Sequence, residues 1–388
     1  MHALKTETTG WKQRDLLTAG GATNSVFPAI YASTYPSQAY EDDGSITDEL
    51  TTLPSRLKEM GFATAGFCAS NPFLGKWSGE FDNFWNDSLI SDSECVNGTE
   101  SALSKTWRFL TFEQRIPDTD VLIKAHNWWN STSGRKFMHV HLMGPHAPYY
   151  PGIGRASRIG PLRSYLAILG YAKRREDLPA FVRRHVKDLY DQCIACLDEV
   201  LGEFLNEFPD DPLIVLTADH GEEFDHGRFG HARLYNETTR CPYLTNDMAL
   251  VPSSSAIRQI DLAPTILRRV DVSVPDSWEG QQATYDRTPL QPMWNKGTRR
   301  GYEWFGVHDE RRKLIEMLDS DGQLLNTELY QLNNDPQEKT PVEVVSGVQE
   351  MEQTLSQFKS RFLEGNTGFN NAGLDSEVDE RLRELGYK

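Results

Sequence analysis

The sequence predicts an α/β protein, with a mostly parallel sheet flanked by helices and a small antiparallel α+β subdomain at its C-terminal end. Three observations carry this prediction. Brief apolar strands alternate with helical stretches through most of the chain, one long segment keeps helical periodicity over 183–206, and beyond about residue 285 the pattern changes to short strands joined by charged turns. With 388 residues the chain exceeds the size at which a single core usually stops growing. A main domain over 1–285 and a C-terminal subdomain over 286–388 are therefore expected.

Taken in order, Leu53 to Met60 forms a short helix, Gly61 stops it, and Phe62 to Cys68 forms a compact strand, which is one α-to-β step. Buried strands follow at Phe137 to Leu142 and at Leu213 to Leu216, each running straight into polar, His-rich sequence. Between them Val186, Leu189, Tyr190, Cys193, Leu197, Val200, Leu201 and Phe204 share one helical face. In the C-terminal part, Tyr302 to His308, Lys313 to Leu318 and Glu328 to Leu332 read as strands, with Asp319-Ser320-Asp321-Gly322 as a turn. A helix over 347–363, with Val348, Met351, Leu355, Phe358 and Phe362 in register, closes this part. Residues 364–372 link it to a last short helix at 377–385.

Hydrophobic residues make up 38% of the chain and charged residues 25%, the balance of a folded globular protein. The 40 basic residues, of which 14 are Lys, face 56 acidic ones. The resulting net charge of −16 argues against binding nucleic acid or anionic lipid. An acidic, lysine-poor surface suits a salt-rich cytoplasm. No stretch is apolar for the length a membrane span needs, and no basic start precedes an apolar run, so a soluble, cytoplasmic protein is expected. The five cysteines (Cys68, Cys95, Cys193, Cys196 and Cys241) are odd in number and scattered, as in a reducing compartment. Cys193 and Cys196 have the spacing of a redox or zinc motif, but no second pair accompanies them, and they are assigned to the core.

The segment 213–231 carries the chemistry: a buried strand leads directly into Asp219, His220, Asp225, His226 and His231. Side chains at the carboxyl ends of parallel strands line the crevice where α/β folds bind ligands. Adjacent Asp and His supply oxygen and nitrogen donors to a metal, and Gly221 lets the chain turn sharply away.

These motifs give a resemblance. Asp219-His220-Gly221-Glu222, His226-Gly227-Arg228-Phe229-Gly230-His231 and Leu234-Tyr235-Asn236-Glu237 resemble the metal-binding block of the sulfatase family, within the alkaline-phosphatase superfamily. His141-Leu-Met-Gly-Pro-His146-Ala-Pro-Tyr-Tyr-Pro151, together with stretches 259–267, 328–338 and 380–387, is similar to further landmarks of that family. The resemblance implies an alkaline-phosphatase-like fold and metal-dependent cleavage of a small-molecule or glycan sulfate, phosphate or phosphonate ester. It implies one divalent cation (Mn, Zn, Ca or Mg) held by Asp219, His220 and Thr23. His146 and His231 are then catalytic and bind substrate, with His226 as a further substrate contact. Registered on Tyr35-Pro36, the family's nucleophile position falls on Thr23, with Ser25 as the alternative. Thr cannot become the formylglycine that sulfatases make from Cys or Ser, so Thr23 shifts the expected substrate toward phosphate or phosphonate esters.

Family members also carry one or two metal-binding Asp residues on a strand some tens of residues ahead of the nucleophile. None of the residues before Thr23 reads as that strand, and Asp15 lies too close to replace it. Two expectations follow: a gene start upstream of Met1, or a relative without those ligands that binds anions and does not turn them over.

Overall fold

The computed structural model describes residues 11–69, 71–87, 116–147, 149–151, 160–173, 178–208, 212–227, 229–297, 301–343 and 348–365. The principal elements begin with strand β1 (Lys12–Leu17), helices α1 (Thr23–Ala32) and α2 (Leu53–Glu59), and strands β2 (Ala63–Ala69) and β3 (Asn83–Asp87). Helix α3 (Asp118–Ser131), strand β4 (Lys136–Val140) and helices α4 (Pro161–Lys173) and α5 (Ala180–Asn206) follow. Next come β5 (Val215–Thr217), β6 (Arg240–Thr245), β7 (Ala256–Arg258) and helix α6 (Leu262–Arg269). Strands β8 (Gln291–Lys296), β9 (Glu303–His308), β10 (Arg312–Leu318) and β11 (Leu324–Gln331) lead to helix α7 (Gln349–Gly365). Cys95 and the helix expected over 377–385 lie outside the described residues.

The described residues of Leu57–Pro212 form one compact unit. Its sheet is wholly parallel, in the order β3-β2-β4. Strand β2 is buried along nearly its whole length, as a strand covered on both faces must be. Gly66 lets β3 come close, because a Cβ there would lie 2.6 Å from the Phe84 ring. Helix α3 covers the sheet by packing Val121 and Ala125 with Ala65 and Phe67. Helix α5 buries Val186, Leu189, Cys193 and Leu201, the stripe expected from the 3.6-residue period. Cys193 sits in that stripe and Cys196 beside it, both as free thiols.

The described residues of Gly10–Arg56 and Leu213–Gly373 form the second unit. It holds a mixed sheet, β5-β6-β1-β7, in which β6 runs antiparallel to both neighbours and β1 pairs parallel with β7. Strand β1 has only Leu16 and Leu17 as apolar residues, and both are buried, Leu16 against Tyr243, Ile257 and Leu262. The C-terminal sheet is antiparallel in the order β11-β10-β9-β8, one strand more than expected. Helix α7 closes it: Val348, Met351, Leu355, Phe358 and Phe362 are all buried in one cluster with Trp294 and Phe305. Ala19, Ala29, Tyr35 and Ile260 belong to the same cluster, so the segment around α1 and the C-terminal sheet share a core. No helix among the described residues is long and apolar enough to cross a membrane.

Lys313 of β10 is fully buried and ion-paired to the fully buried Glu338 at 2.8 Å. Removing one member of such a pair strands a charge in a low-dielectric interior, whereas replacing both with apolar groups does not. Lys313→Met is therefore expected to lower the unfolding free energy by about 3–5 kcal/mol, and Lys313→Met combined with Glu338→Leu to recover most of that loss. Denaturant titration of the single and double variants measures both.

Candidate active site

Two chain segments meet at the end of β5. After Thr217 the chain runs through Ala218 to Asp219 and His220, then turns at Gly221, whose amide donates to the Thr238 carbonyl at 2.8 Å. A Cβ at Gly221 would lie 2.1 Å from the Glu237 carbonyl oxygen, so only glycine fits. The second segment starts α1. Thr23 is its first residue, and the N-cap, Ala22, makes no side-chain bond to the first turn, while its carbonyl accepts from the Ser25 amide at 2.8 Å. The positive end of the helix dipole is thus open at Thr23, an arrangement that favours negative charge there.

The Thr23 hydroxyl donates to Asp219 Oδ2 at 3.0 Å and lies 3.4 Å from His220 Nε2. His220 Nδ1 is 2.9 Å from the Gly221 carbonyl oxygen, which can only accept, so Nδ1 donates there, and Nε2 faces the Thr23 hydroxyl and lies 3.5 Å from Asp219 Oδ2. The His220 amide donates to Asp219 Oδ1 at 2.9 Å, fixing the carboxylate. His231 packs beside His220, with ring centroids 4.6 Å apart, and its Nδ1 lies 3.3 Å from Glu222 Oε2. Thr23, Asp219, His220 and His231 therefore come together from sequence-distant segments. Asp15 instead pairs with Arg240 on the neighbouring strand β6.

His226 is built into a clamp of its own. Its Nδ1 lies 2.7 Å from Glu237 Oε2, its Nε2 lies 3.1 Å from the Glu338 carbonyl, and its ring stacks on Tyr235 with centroids 3.9 Å apart. Both partners are acceptors, so both ring nitrogens donate only in the imidazolium form. Burial works against that charge, but the Glu237 hydrogen bond outweighs it and the His226 pKa is raised. Burial likewise opposes the Glu237 charge, and hydrogen bonds from His226 and from the amides of Phe224 and Asp225 outweigh it, lowering its pKa. His146 belongs to the other unit, in the turn after β4, where its amide donates to Met143 and its Nδ1 lies 2.6 Å from the Ala147 carbonyl.

The donors that could share a divalent cation are Asp219 Oδ2, His220 Nε2 and the Thr23 hydroxyl. Among the described residues no group of three His, Cys, Asp or Glu side chains is placed to hold a metal ion. The contact of His220 Nδ1 with a backbone carbonyl fits a metal-ligating imidazole, whose second nitrogen is normally tied to an acceptor. One carboxylate, one imidazole and one hydroxyl leave the remaining coordination positions to water or to substrate oxygens.

Glu222, Glu237, Gln259 and Asn295 also touch this machinery. The first three fall in stretches already singled out by the resemblance, but their partners lie in other segments, and a linear pattern does not show them. Asn295 lies on β8, which carries no such signal.

A family model described as Sulfatase matches residues 2–272. The chain belongs to the sulfatase family. That family generally uses a divalent metal ion, and its members are hydrolases. The fold agrees with solved structures at low identity. One protein, solved in complex with its substrate D-glucosamine-2-N,6-O-disulfate, aligns with a TM-score of 0.69 at 15% identity, covering 95% of this chain and 94% of that one. A 2-O glycosaminoglycan sulfatase aligns with a TM-score of 0.64 at 11% identity, covering 98% and 90%. The phosphonate monoester hydrolase of Agrobacterium radiobacter aligns with a TM-score of 0.63 at 15% identity, covering 97% and 93%. No curated protein matches the sequence.

The clamp has a defined pH dependence. With the His226 pKa raised above its ordinary 6.5, its contribution to stability is complete below that value and is lost as pH rises through the folded-state pKa. With the Glu237 pKa lowered beneath 4.5, its contribution is complete above that value and is lost as pH falls through the folded-state pKa. Unfolding free energy measured from pH 4 to 9 is expected to show the clamp at full strength between about 4.5 and 6.5. Glu237→Gln should remove the decline attributable to His226 on the alkaline side.

Proposed function

We propose that this sulfatase-family chain hydrolyses monoesters of phosphate, phosphonate or sulfate, with Thr23 as the nucleophile. The observation that supports it is the hydrogen bond from the Thr23 hydroxyl to Asp219 Oδ2, with His220 Nε2 facing the same oxygen. A nucleophile is activated where a base or a cation takes up its proton or its charge. The open N-terminus of α1 adds to that effect at Thr23. Threonine favours phosphorus over sulfur as the centre attacked, because formylglycine is made only from Cys or Ser.

In this scheme Asp219 and His220 hold the cation, which when bound would lower the hydroxyl pKa and offset the charge of the ester. Thr23 gives its proton along the hydrogen bond to Asp219 Oδ2, and its Oγ forms a bond to the phosphorus as the bond to the ester oxygen breaks. His231, oriented by Glu222, protonates the leaving oxygen. The now-neutral His231 then takes a proton from the water that attacks the phosphothreonine, the phosphorus–Oγ bond breaks to release the phosphate, and Thr23 Oγ takes back the proton held by Asp219. The family resemblance alone assigns His146 to the anionic group of the substrate.

A second scheme keeps anion binding without turnover. It is favoured by the single carboxylate of the donor set and by the absence of a three-residue metal group among the described residues. Aryl phosphates, phosphonates and sulfates assayed with Mn, Zn, Mg or Ca decide between the two. Thr23→Ala should abolish turnover, and His231→Ala should lower kcat by about 10²–10⁴-fold. Wild-type protein that binds no metal and cleaves none of these esters supports the second scheme.

A further inference from the structure

Gln259 and Asn295 each span the two segments that meet at the site. Gln259 is fully buried: its Oε1 accepts from the Ala19 amide at 2.8 Å, and its Nε2 donates to the Asp219 carbonyl at 2.8 Å. Asn295 is equally enclosed. Its Oδ1 accepts from the Ser25 hydroxyl at 2.9 Å, while its Nδ2 donates to the carbonyls of His231 and Ala232 at 3.0 and 2.9 Å. Each amide thus has its oxygen on the segment that carries Thr23. Each has its nitrogen on a segment that carries another group of the site, Asp219 for one and His231 for the other.

The orientation of both amides is determined. Reversing Gln259 would set an NH2 group against the Ala19 amide and an oxygen against the Asp219 carbonyl. Gln259 is also braced by its neighbours, since Arg258 grips the buried Asp261 with two hydrogen bonds of 2.7 and 2.8 Å. Close packing removes the remaining slack: a Cβ on Gly20 would lie 2.5 Å from the Trp294 carbonyl oxygen, and one on Gly21 would lie 2.6 Å from that of His231.

We propose that Gln259 and Asn295 are positioning residues that set the distance of the Thr23 hydroxyl from Asp219 and His231 by cross-linking the segments on which they lie. This rests on Thr23 being the nucleophile. Reaction requires the attacking oxygen to be held near its target, and a displacement of about 1 Å costs roughly 100-fold in rate. A buried amide suits this task, because it bridges a donor and an acceptor without adding a charge to a site that already handles a cation and an anion.

Gln259→Glu and Asn295→Asp keep size and shape but replace the donor NH2 with oxygen, and Ser25→Ala removes one hydroxyl contact while leaving both amides. In the full chain, kcat for an aryl phosphate is expected to fall about 10- to 100-fold in the two amide variants. Ser25→Ala should show a smaller fall, with KM unchanged in all three. Long-range 1H–15N spectra read the same geometry without turnover. The His220 and His231 ring signals should move in the amide variants relative to wild type, because the segments that carry them are displaced. Denaturant midpoints monitor folding, and if Gln259→Glu does not fold, Asn295→Asp and Ser25→Ala carry the decision. Folded Asn295→Asp and Ser25→Ala proteins with wild-type kcat and wild-type histidine signals overturn the proposal. Wild-type protein that cleaves no ester removes the nucleophile assignment, and the spectra alone then decide whether the amides position these groups.

Discussion

The ammonium group of Lys313 has no access to water, and an ammonium so placed must find acceptors within the protein. It takes the Leu234 carbonyl at 3.0 Å, Asn236 Oδ1 at 2.7 Å and Thr239 Oγ1 at 2.9 Å, besides its ion pair with Glu338. These acceptors fix the chain from Leu234 to Thr239. That stretch carries Glu237, which holds His226, and it presents the Thr238 carbonyl to the Gly221 amide, one residue beyond His220. A demand for solvation in the C-terminal sheet is in this way transmitted to the loop bearing the candidate catalytic groups. Glu338 reinforces it, since its carboxylate also receives the Asn236 amide while its carbonyl receives His226.

The three histidines of the segment 213–231 divide their work according to what their ring nitrogens face. His220 spends Nδ1 on a backbone carbonyl, which leaves Nε2 directed at Thr23. His226 spends both nitrogens on acceptors and becomes a charged cross-link. His231 has one nitrogen beside Glu222 and keeps part of its ring exposed. Identical residues a few positions apart are thus held in different ways: His226 as a charged cross-link, His220 with one nitrogen facing Thr23, and His231 partly exposed beside Glu222.

Much of the fold was legible because periodicity reports burial. The five apolar positions that spacing marks on α7 are all buried, and of the stripe on α5 Val186, Leu189, Cys193 and Leu201 are buried while Tyr190, Leu197, Val200 and Phe204 are half-buried. Strand β1 was not legible, since Lys12-Gln-Arg-Asp-Leu-Leu has too little apolar alternation; its pairing with β6 on one side and β7 on the other makes it a strand. At the site, Asp219, His220 and Thr23 were found as a composition at the end of a strand and a register on Tyr35-Pro36. Gln259 and Asn295 were out of reach, because their partners lie 240 and 270 residues away along the chain, and an amide in a β-strand or a short turn carries no local mark of such a bond.

The charge balance gains a different meaning once the cations are located. In a chain of net charge −16, several basic side chains lie inward beside carboxylates in the unit that carries the site: Arg233 with Glu223, Arg258 with Asp261 and Lys313 with Glu338. The carboxylates of all three pairs are almost fully enclosed. Buried pairs of this kind add little net stability, because desolvation offsets their attraction. Their geometry is nevertheless unforgiving, since each charge tolerates only a fully satisfied partner. Arg233 lies in the chain that follows His231, Asp261 flanks Gln259, and Lys313 holds the loop ahead of β6. The enclosed pairs therefore tie together the segments around the candidate site, where apolar packing alone would leave them more freedom to shift.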